Sequence, residues 1–411
     1  MSDCYDVIIV GGGPAGGSAA YFLGQAGKRV LLLEKERLPR YKTCGGGLSI
    51  DFLKSQFPFS FESLVSSEVR SFSYIFYGYR VTIPVKPGVI GMVMRDQLDA
   101  CLLDHVQADI RQGVGVRAVI ETAEKVTVVT QAGESFEASY LIGADGANSV
   151  VARSLGLRRG RNMAAAIEVE VPVSPVIYQR FSSGPVFFFG EIRFGYLWIF
   201  PKPDHLSVGI AAWHPRRGEL QTVLGRVMAR YGVPLEAGSL HGHPIPIHTG
   251  REKIATPRTL LVGDAAGLVD PLSGEGIRYA IKSGRLAAEV ILGGHPERYS
   301  SLIFREIGIN HLFAMGAAQL FYRFQLLCLA LGAPNPFVTR AILDLLSDRT
   351  VTFNILLRGI FTLPIYLFTE VIAWLAGISS GPQKRERIRS WVYSKADQRR
   401  SLKRSLSYDN Q

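Results

Sequence analysis

Three kinds of hydrophobic pattern follow one another along this chain. The first is the uninterrupted apolar run. YDVIIV (5–10) stops at glycine and predicts a strand buried on both faces. GGGPAGGSAAYFLGQAG then predicts a tight turn that enters a helix, and KRVLLLEK (28–35) predicts a second buried strand ending at Glu34. The three pieces make a β-α-β unit of about thirty residues. The second pattern is period-two alternation, which runs through residues 69–93 and 114–143 and marks strands. A helix is predicted between them, near RDQLDACLLDHV (95–106). Residues 162–213 are again strand-rich and carry aromatic clusters such as VFFFG. RTLLVGDAAG (258–267) returns to a buried strand followed by small residues. The third pattern is helical and takes over from about residue 275. No internal repeat and no long low-complexity linker separates these regions.

Composition narrows the class. With 411 residues, 47% hydrophobic and 20% charged, the chain can bury a large core and is not of disordered composition. Cys4, Cys44, Cys101 and Cys328 are scattered with no CxxC spacing, which argues against a zinc site or a disulfide framework and for a reducing compartment. MSDCYDVIIV lacks the basic start of a secretion signal, so a cytoplasmic location is the expectation. The net charge of +11 is uneven: residues 384–404 hold nine Lys or Arg against Glu386 and Asp397. Such a tail reads as a solvated helix or a patch for an anionic membrane surface. No base-reading module accompanies it, so nucleic acid is not an expected partner.

The candidate chemistry begins at the first turn. Gly11, Gly13 and Gly16 fit G-x-G-x-x-G between a strand and a helix. In that setting Gly11 permits the turn, Gly13 lets the backbone approach a pyrophosphate, and Gly16 permits close helix–strand packing. The helix N-terminus offers free N–H groups and a partial positive charge to the phosphates. Glu34 lies 18 residues after Gly16, where an acid can bind the ribose hydroxyls of an adenosine. An acid there favours FAD or NAD over a 2′-phosphorylated cofactor.

Later segments distinguish the two. LLVGDAAGLVDPLSGEGI (260–277) resembles the second flavin motif of the p-hydroxybenzoate-hydroxylase-like flavoproteins. The resemblance implies that Asp264 holds the ribitol chain of FAD and that the loop carrying Gly274 passes beside the flavin ring. YLIGADGANSVVARSLG (140–156) resembles the Asp-Gly motif of the same superfamily, with Asp145, Gly146, Ser149 and Arg153 in matching places. RDQLD (95–99) resembles its flavin-contacting helix start and carries over Arg95. No second glycine unit exists for a nicotinamide cofactor, so NAD(P)H or ferredoxin as electron donor has no Rossmann domain of its own here.

LPRYKTCGGGLS (38–49) and GYLWIFP (195–201) add a narrower likeness. A CGGG loop and a Y-x-W-x-F-P strand resemble the geranylgeranyl reductase family, and they fall on Cys44, Gly45, Gly46 and Gly47 and on Tyr196, Trp198, Phe200 and Pro201. A downstream G-x-G is only partly kept, as Gly209 followed by Ile-Ala. The implied fold is α/β: a Rossmann-like FAD-binding domain (1–68, 90–160 and 255–300), an inserted mixed or antiparallel β-sheet substrate domain (69–89 and 161–254), and a C-terminal helical region with a basic tail (301–411). The implied activity is saturation of C=C bonds in a geranylgeranyl group carried by a small molecule or lipid. Cys44 and Gly45 are expected beside the flavin, and Gly46 and Gly47 beside the prenyl chain, where glycines leave room for it. Tyr196, Trp198 and Phe200 share one strand face and form either a wall for that chain or ordinary core. An unpolarised alkene needs a proton as well as a hydride, and Cys44 and Tyr196 are the candidate donors, with water as a competitor.

The rest of the chain fits an apolar substrate. Residues 305–380 are apolar and aromatic, but uncharged stretches of 11 and 13 residues (359–369 and 371–383) are shorter than the roughly 20 a spanning helix needs. Helices that cover the cavity and touch a membrane surface are the expectation, with a buried helical core as the other reading. Two rival functions remain open. A flavin monooxygenase or halogenase would share the fold, although a halogenase carries W-x-W-x-I-P where this strand reads YLWIFP. A non-enzymatic prenyl carrier would not need the intact glycine turn.

Overall fold

The computed structural model describes residues 5–86, 90–158, 162–247, 252–332, 335–346 and 352–375. The basic tail, 384–404, lies outside the described residues. The chain is a mixed α/β protein with a Rossmann-like parallel sheet, further sheets and a helical C-terminal region.

The first sheet is built on the buried runs. Strand β1 (Tyr5–Val10) lies between β2 (Val30–Glu34) and the strand Ser135–Gly143, parallel to both, with Val10 opposite Leu33 and Gly143. Asp109–Gln112 pairs parallel with β2, and Thr259–Leu261 pairs parallel with the second half of Ser135–Gly143. The first half of that strand instead takes the antiparallel strands Val126–Thr130 and Val116–Glu121 as a meander. All five residues of β2 are buried, which is why VLLLE reads as continuous rather than alternating. Helix α1 (Pro14–Gln25) and the helix Ile277–Leu292 pack together through small residues. Gly284 meets the Ala15 carbonyl, and a Cβ at Gly16 would strike the carbonyl of Gly11.

The second sheet has the order Leu240–Ile247, Asn162–Pro172, His205–Trp213, Gly195–Pro201, Val186–Phe189, Ser71–Phe76, Tyr79–Pro84. It is antiparallel except where Ser71–Phe76 runs parallel to Val186–Phe189. Its outer face (Leu197, Ile199, Val208, Ile210, Val169) is covered by the helix Glu219–Tyr231 through Leu220, Val223, Leu224, Val227 and Met228. Its inner face carries Tyr196, Trp198 and Phe200 with Phe187, Ala166 and Ala211. A small antiparallel sheet of Gly47–Ser49, Ile90–Met92 and Ser67–Glu68 links the two large ones. Thus the glycine run of 45–47 ends in a strand, which the residues alone did not indicate, and the helix Glu219–Tyr231 interrupts the β-rich region unannounced.

From Ile277 to Leu375 the described residues are mostly helical, and among them no helix is long and apolar enough to cross a membrane. Packing of α1 against Ile277–Leu292 gives a direct test. Gly284→Ala should lower stability by about 1–3 kcal/mol, because its methyl meets the backbone oxygen of Ala15, which has no room to move. Gly225→Ala, in the helix Glu219–Tyr231 with nothing within 4 Å of the new methyl, should raise it by up to about 1 kcal/mol. Urea midpoints followed by circular dichroism check both signs.

Candidate functional site

A cavity of about 890 Å³ lies where the C-terminal ends of the parallel strands meet the inner face of the second sheet. One end is the glycine turn. Gly11 has φ +105, and a Cβ there would press on the Ala144 carbonyl, so only glycine fits. Gly13 faces open space, its nearest foreign atom being Arg40 Nη2 at 3.9 Å from where a Cβ would stand. No side chain caps α1, and Pro14 occupies its first turn, so its N–H groups remain available to an anion. The buried Glu34 accepts from the Gly12 N–H (2.6 Å) and the Glu36 N–H (3.0 Å), which anchors the carboxylate and leaves lone pairs for hydroxyl groups.

Two further aspartates line the same space. Asp145 Oδ2 accepts from the N–H groups of Val150 (2.6 Å) and Val151 (3.1 Å), while Oδ1 is buried with no partner among the described residues. Burial raises the pKa of this carboxyl above its ordinary value. Burial also opposes ionisation of Asp264, but His243 and Lys42 outweigh it and lower that pKa. Lys42 Nζ stands 2.8 Å from His243 Nε2, which is 3.9 Å from Asp264 Oδ2. Burial brings Lys42 down to about 8. Arg95 grips Asp99 with two bonds of 2.9 Å, and Arg40 reaches the same carboxylate at 3.1 Å with its Nη1 buried and unpartnered among the described residues. Unpaired Asp145 Oδ1 and Arg40 Nη1, an open Gly13 and an uncapped helix together fit a dinucleotide with hydroxyl groups and a pyrophosphate.

The other end is the aromatic wall. Phe187, Tyr196, Trp198 and Phe200 all line the cavity, with Phe187 edge-on to Phe200 at 5.4 Å. Hence the period-two stripe faces a cavity rather than a closed core. Trp198 lies over Gly209, its partner across the neighbouring strand, where any side chain would displace the indole. The Tyr196 hydroxyl donates to the Ser273 carbonyl at 2.9 Å, and burial first, then Asp270 and Cys44, push its pKa up. Gly274 must be glycine here, since a Cβ would stand 2.7 Å from that hydroxyl.

The CGGG loop runs between the two ends. Cys44 is half-buried and close to Arg95. A Cβ at Gly45 would collide with the Phe200 ring (2.6 Å), and one at Gly46, whose φ is +70, with the Val93 carbonyl and with Lys202 Nζ (2.8 Å). The missing side chains therefore make room chiefly for protein groups, and the loop's other side lines the cavity. Of the residues singled out in the sequence motifs, Gly16, Ser149, Arg153, Pro201 and Gly209 do not line the cavity; Gly16 packs behind the turn and Ser149 caps the short helix Val150–Ser154.

Sequence reasoning missed a polar cluster beneath the loop. Lys202, fully buried, donates to the carbonyls of Gly45 (2.8 Å) and Val93 (2.9 Å), and burial lowers its pKa. Glu168 is fully buried, accepts from the Tyr41 hydroxyl at 3.2 Å, and is pushed up to about 8 by burial and then by Glu170. The signal was present in AAAIEVEVP, where two glutamates sit at alternate positions of an otherwise apolar strand.

Known proteins resemble this chain in both sequence and shape. Residues 5–149 match the family model described as pyridine nucleotide-disulphide oxidoreductase. Geranylgeranyl diphosphate reductase of Synechocystis sp. is 30% identical over 318 residues, covering 70% of this chain and 75% of that protein. Menaquinone reductase of Mycolicibacterium smegmatis is 28% identical over 325 residues, covering 73% of this chain and 80% of its own. The crystal structure of a geranylgeranyl bacteriochlorophyll reductase-like protein from Thermoplasma acidophilum superposes with a TM-score of 0.72 at 25% identity, covering 87% of this chain and 96% of that one.

Glu168 makes stability depend on pH. In the unfolded chain its carboxyl loses its proton near the ordinary value of 4.5, and in the folded protein only near 8. Between those values the folded state binds the extra proton, so this residue's contribution to stability falls as pH rises from 4.5 to 8 and is level above. Glu168→Gln removes that slope. The variant should gain on the parent between pH 5 and pH 9 by on the order of a few kcal/mol, read as urea midpoints. An offset that does not change with pH would show that the folded carboxyl is ionised throughout.

Proposed function

The chain belongs to the geranylgeranyl reductase family of FAD-dependent oxidoreductases, and from that premise we propose that it saturates isolated C=C bonds of a polyprenyl group borne by a small molecule or lipid. The observation that carries this reading is the continuity of one cavity from the Gly11–Gly13 turn to the wall of Phe187, Tyr196, Trp198 and Phe200. A cofactor site and a slot for an apolar chain thereby share one space.

Bound and reduced, FAD supplies a hydride to one alkene carbon. In this reading the residues of the chain do the rest. The turn and the start of α1 hold the pyrophosphate with Arg40, Glu34 takes the adenosine ribose, and Asp145 and Asp264 take hydroxyl groups between. Arg95 and Lys202 fix the Cys44–Gly47 loop against the cavity. The aromatic wall excludes water, which would compete for the hydride's partner proton. NAD(P)H or ferredoxin is the proposed source of electrons.

The test is direct. Dithionite-reduced protein given a polyprenyl diphosphate, a polyprenylated quinone and a polyprenyl glycerolipid should add two hydrogens per double bond to at least one of them under nitrogen. Mass spectrometry reads the product. Incorporation of oxygen under air, with no saturation, would favour a monooxygenase instead.

An apolar substrate must also be reached. Ile309, Leu312, Phe313, Leu320 and Phe324 are exposed on and just after the helix Ile309–Arg323. We assign them to peripheral contact with a membrane surface, insertion of such side chains being worth roughly 1.5–3 kcal/mol each if fully buried. Flotation with anionic vesicles should carry the protein upward and should weaken in Leu312→Glu/Phe313→Glu. Equal flotation of that variant, or none of the parent, would remove this surface from the account.

A further inference from the structure

Saturating an alkene consumes a proton as well as a hydride, and the structure holds a row of acids that leads to the cavity. Glu168 lines the cavity and is fully buried. It lies two strands from Trp198, with Gly209 between them and no side chain intervening. Its Oε1 accepts from the Tyr41 hydroxyl, and its Oε2 is buried without a partner among the described residues. Glu170 comes next on the same strand face and acts on Glu168 as a charged neighbour. His205 Nε2 stands 2.9 Å from Glu170 Oε2, and its Nδ1 is 2.6 Å from Asp204 Oδ1. The Asp204 side chain is 84% exposed. The row therefore begins in solvent and ends in the cavity.

Resting on the reading that an alkene is reduced here, we propose that the Glu168 carboxyl gives the proton to the alkene carbon that does not receive hydride, and that Asp204, His205 and Glu170 return a proton to it from solvent. The step balances. The π bond breaks, an electron pair and hydrogen arrive as hydride from the reduced flavin at one carbon, and the π pair forms a bond to the Glu168 proton at the other. The flavin is oxidised by two electrons, the alkene gains them, and Glu168 is left as a carboxylate until the row reloads it.

The groups facing these acids support the assignment. Around Glu168 stand Tyr41, Glu170, Lys202 and the Cys44 backbone, and around Glu170 stand His205 and Lys202. Burial and Glu170 favour the protonated form of Glu168, while Lys202, itself weakened as a cation by burial, opposes it. Hydrogen bonding to Glu170 foremost, partly opposed by burial, raises the pKa of His205, which suits a group that takes protons from water near neutrality. Tyr196 is less suited, because its hydroxyl is already engaged by the Ser273 carbonyl.

Infrared spectroscopy of the full-length FAD-loaded protein tests the acid without substrate, so its outcome is independent of what the enzyme reduces. At pH 7 the parent should show the carbonyl stretch of a buried, protonated carboxylic acid, lost in Glu168→Gln and titrating upward of neutrality. In single turnovers with the polyprenyl compound that the parent saturates, Glu168→Gln should keep the flavin spectrum and slow flavin reoxidation about 10²- to 10⁴-fold. His205→Gln should slow steady-state turnover more than the single turnover, because reloading is needed only once the first proton is gone. No acid band assignable to Glu168 at pH 7, or parental single turnover in Glu168→Gln, would overturn the donor, as would a loss of that size confined to Cys44→Ala. Equal slowing of both phases in His205→Gln, or of neither, would overturn the relay.

Discussion

A buried ammonium group sets the arrangement of the cavity. Lys202 directly follows the aromatic strand, is inaccessible to solvent, and directs Nζ at the carbonyls of Gly45 and Val93. Burying a cation without partners costs several kcal/mol, so the two carbonyls it donates to are conditions of its being there. To present its carbonyl inward, the loop must pass Lys202 closely, with Gly46 at φ +70 and no space for a Cβ. One contact thereby ties the CGGG loop, the small linking sheet and the aromatic strand together. The loop's lack of side chains follows from that tie as much as from any need of a ligand.

Strand alternation then gives one sheet two unlike tasks. Along Gly195–Pro201, Leu197 and Ile199 pack against the helix Glu219–Tyr231, while Tyr196, Trp198 and Phe200 look into the cavity. The outer set makes the sheet rigid and the inner set makes it a wall. Gly209 matters to both, because without it the Trp198 indole could not lie flat across the neighbouring strand. A one-residue slip in register would exchange the faces and expose the apolar set to the ligand space.

Much of this was legible in the order of residues, and the reasons differ by element. The turn at Gly11–Gly16 reads clearly because strand, glycines and helix are contiguous, so the local sequence contains the whole unit. Its conformation in the structure, with Gly11 at φ +105, is what the spacing asks for. The helix Glu219–Tyr231 has a readable apolar stripe but sits among strands, and the regional pattern masked it. The short strand Gly47–Ser49 has no intrinsic signal and exists because Ile90–Met92 offers it a partner. The acidic row was hidden for a similar reason. Glu168, Glu170 and His205 come together through the register of Asn162–Pro172 with His205–Trp213, in which Glu170 faces Ser207 and Pro172 faces His205. Arg40 and Lys42 are adjacent to the glycine loop in sequence, but only folding aims one at Asp99 and the other at His243.

The position of Glu168 also explains why a carboxyl can stand in a space suited to hydrocarbon. An ionised carboxylate without a full set of donors would draw water in, and water would weaken the apolar contacts of the wall. A neutral acid needs fewer partners, so Oε2 can stand without one while Oε1 accepts from Tyr41. Lys202 would tip the balance toward the carboxylate if its charge were free, yet it is engaged by two carbonyls and disfavoured by burial. Glu170, nearer to solvent, faces His205. The row thus crosses two paired strands, from the exposed Asp204 to the buried acid at the cavity.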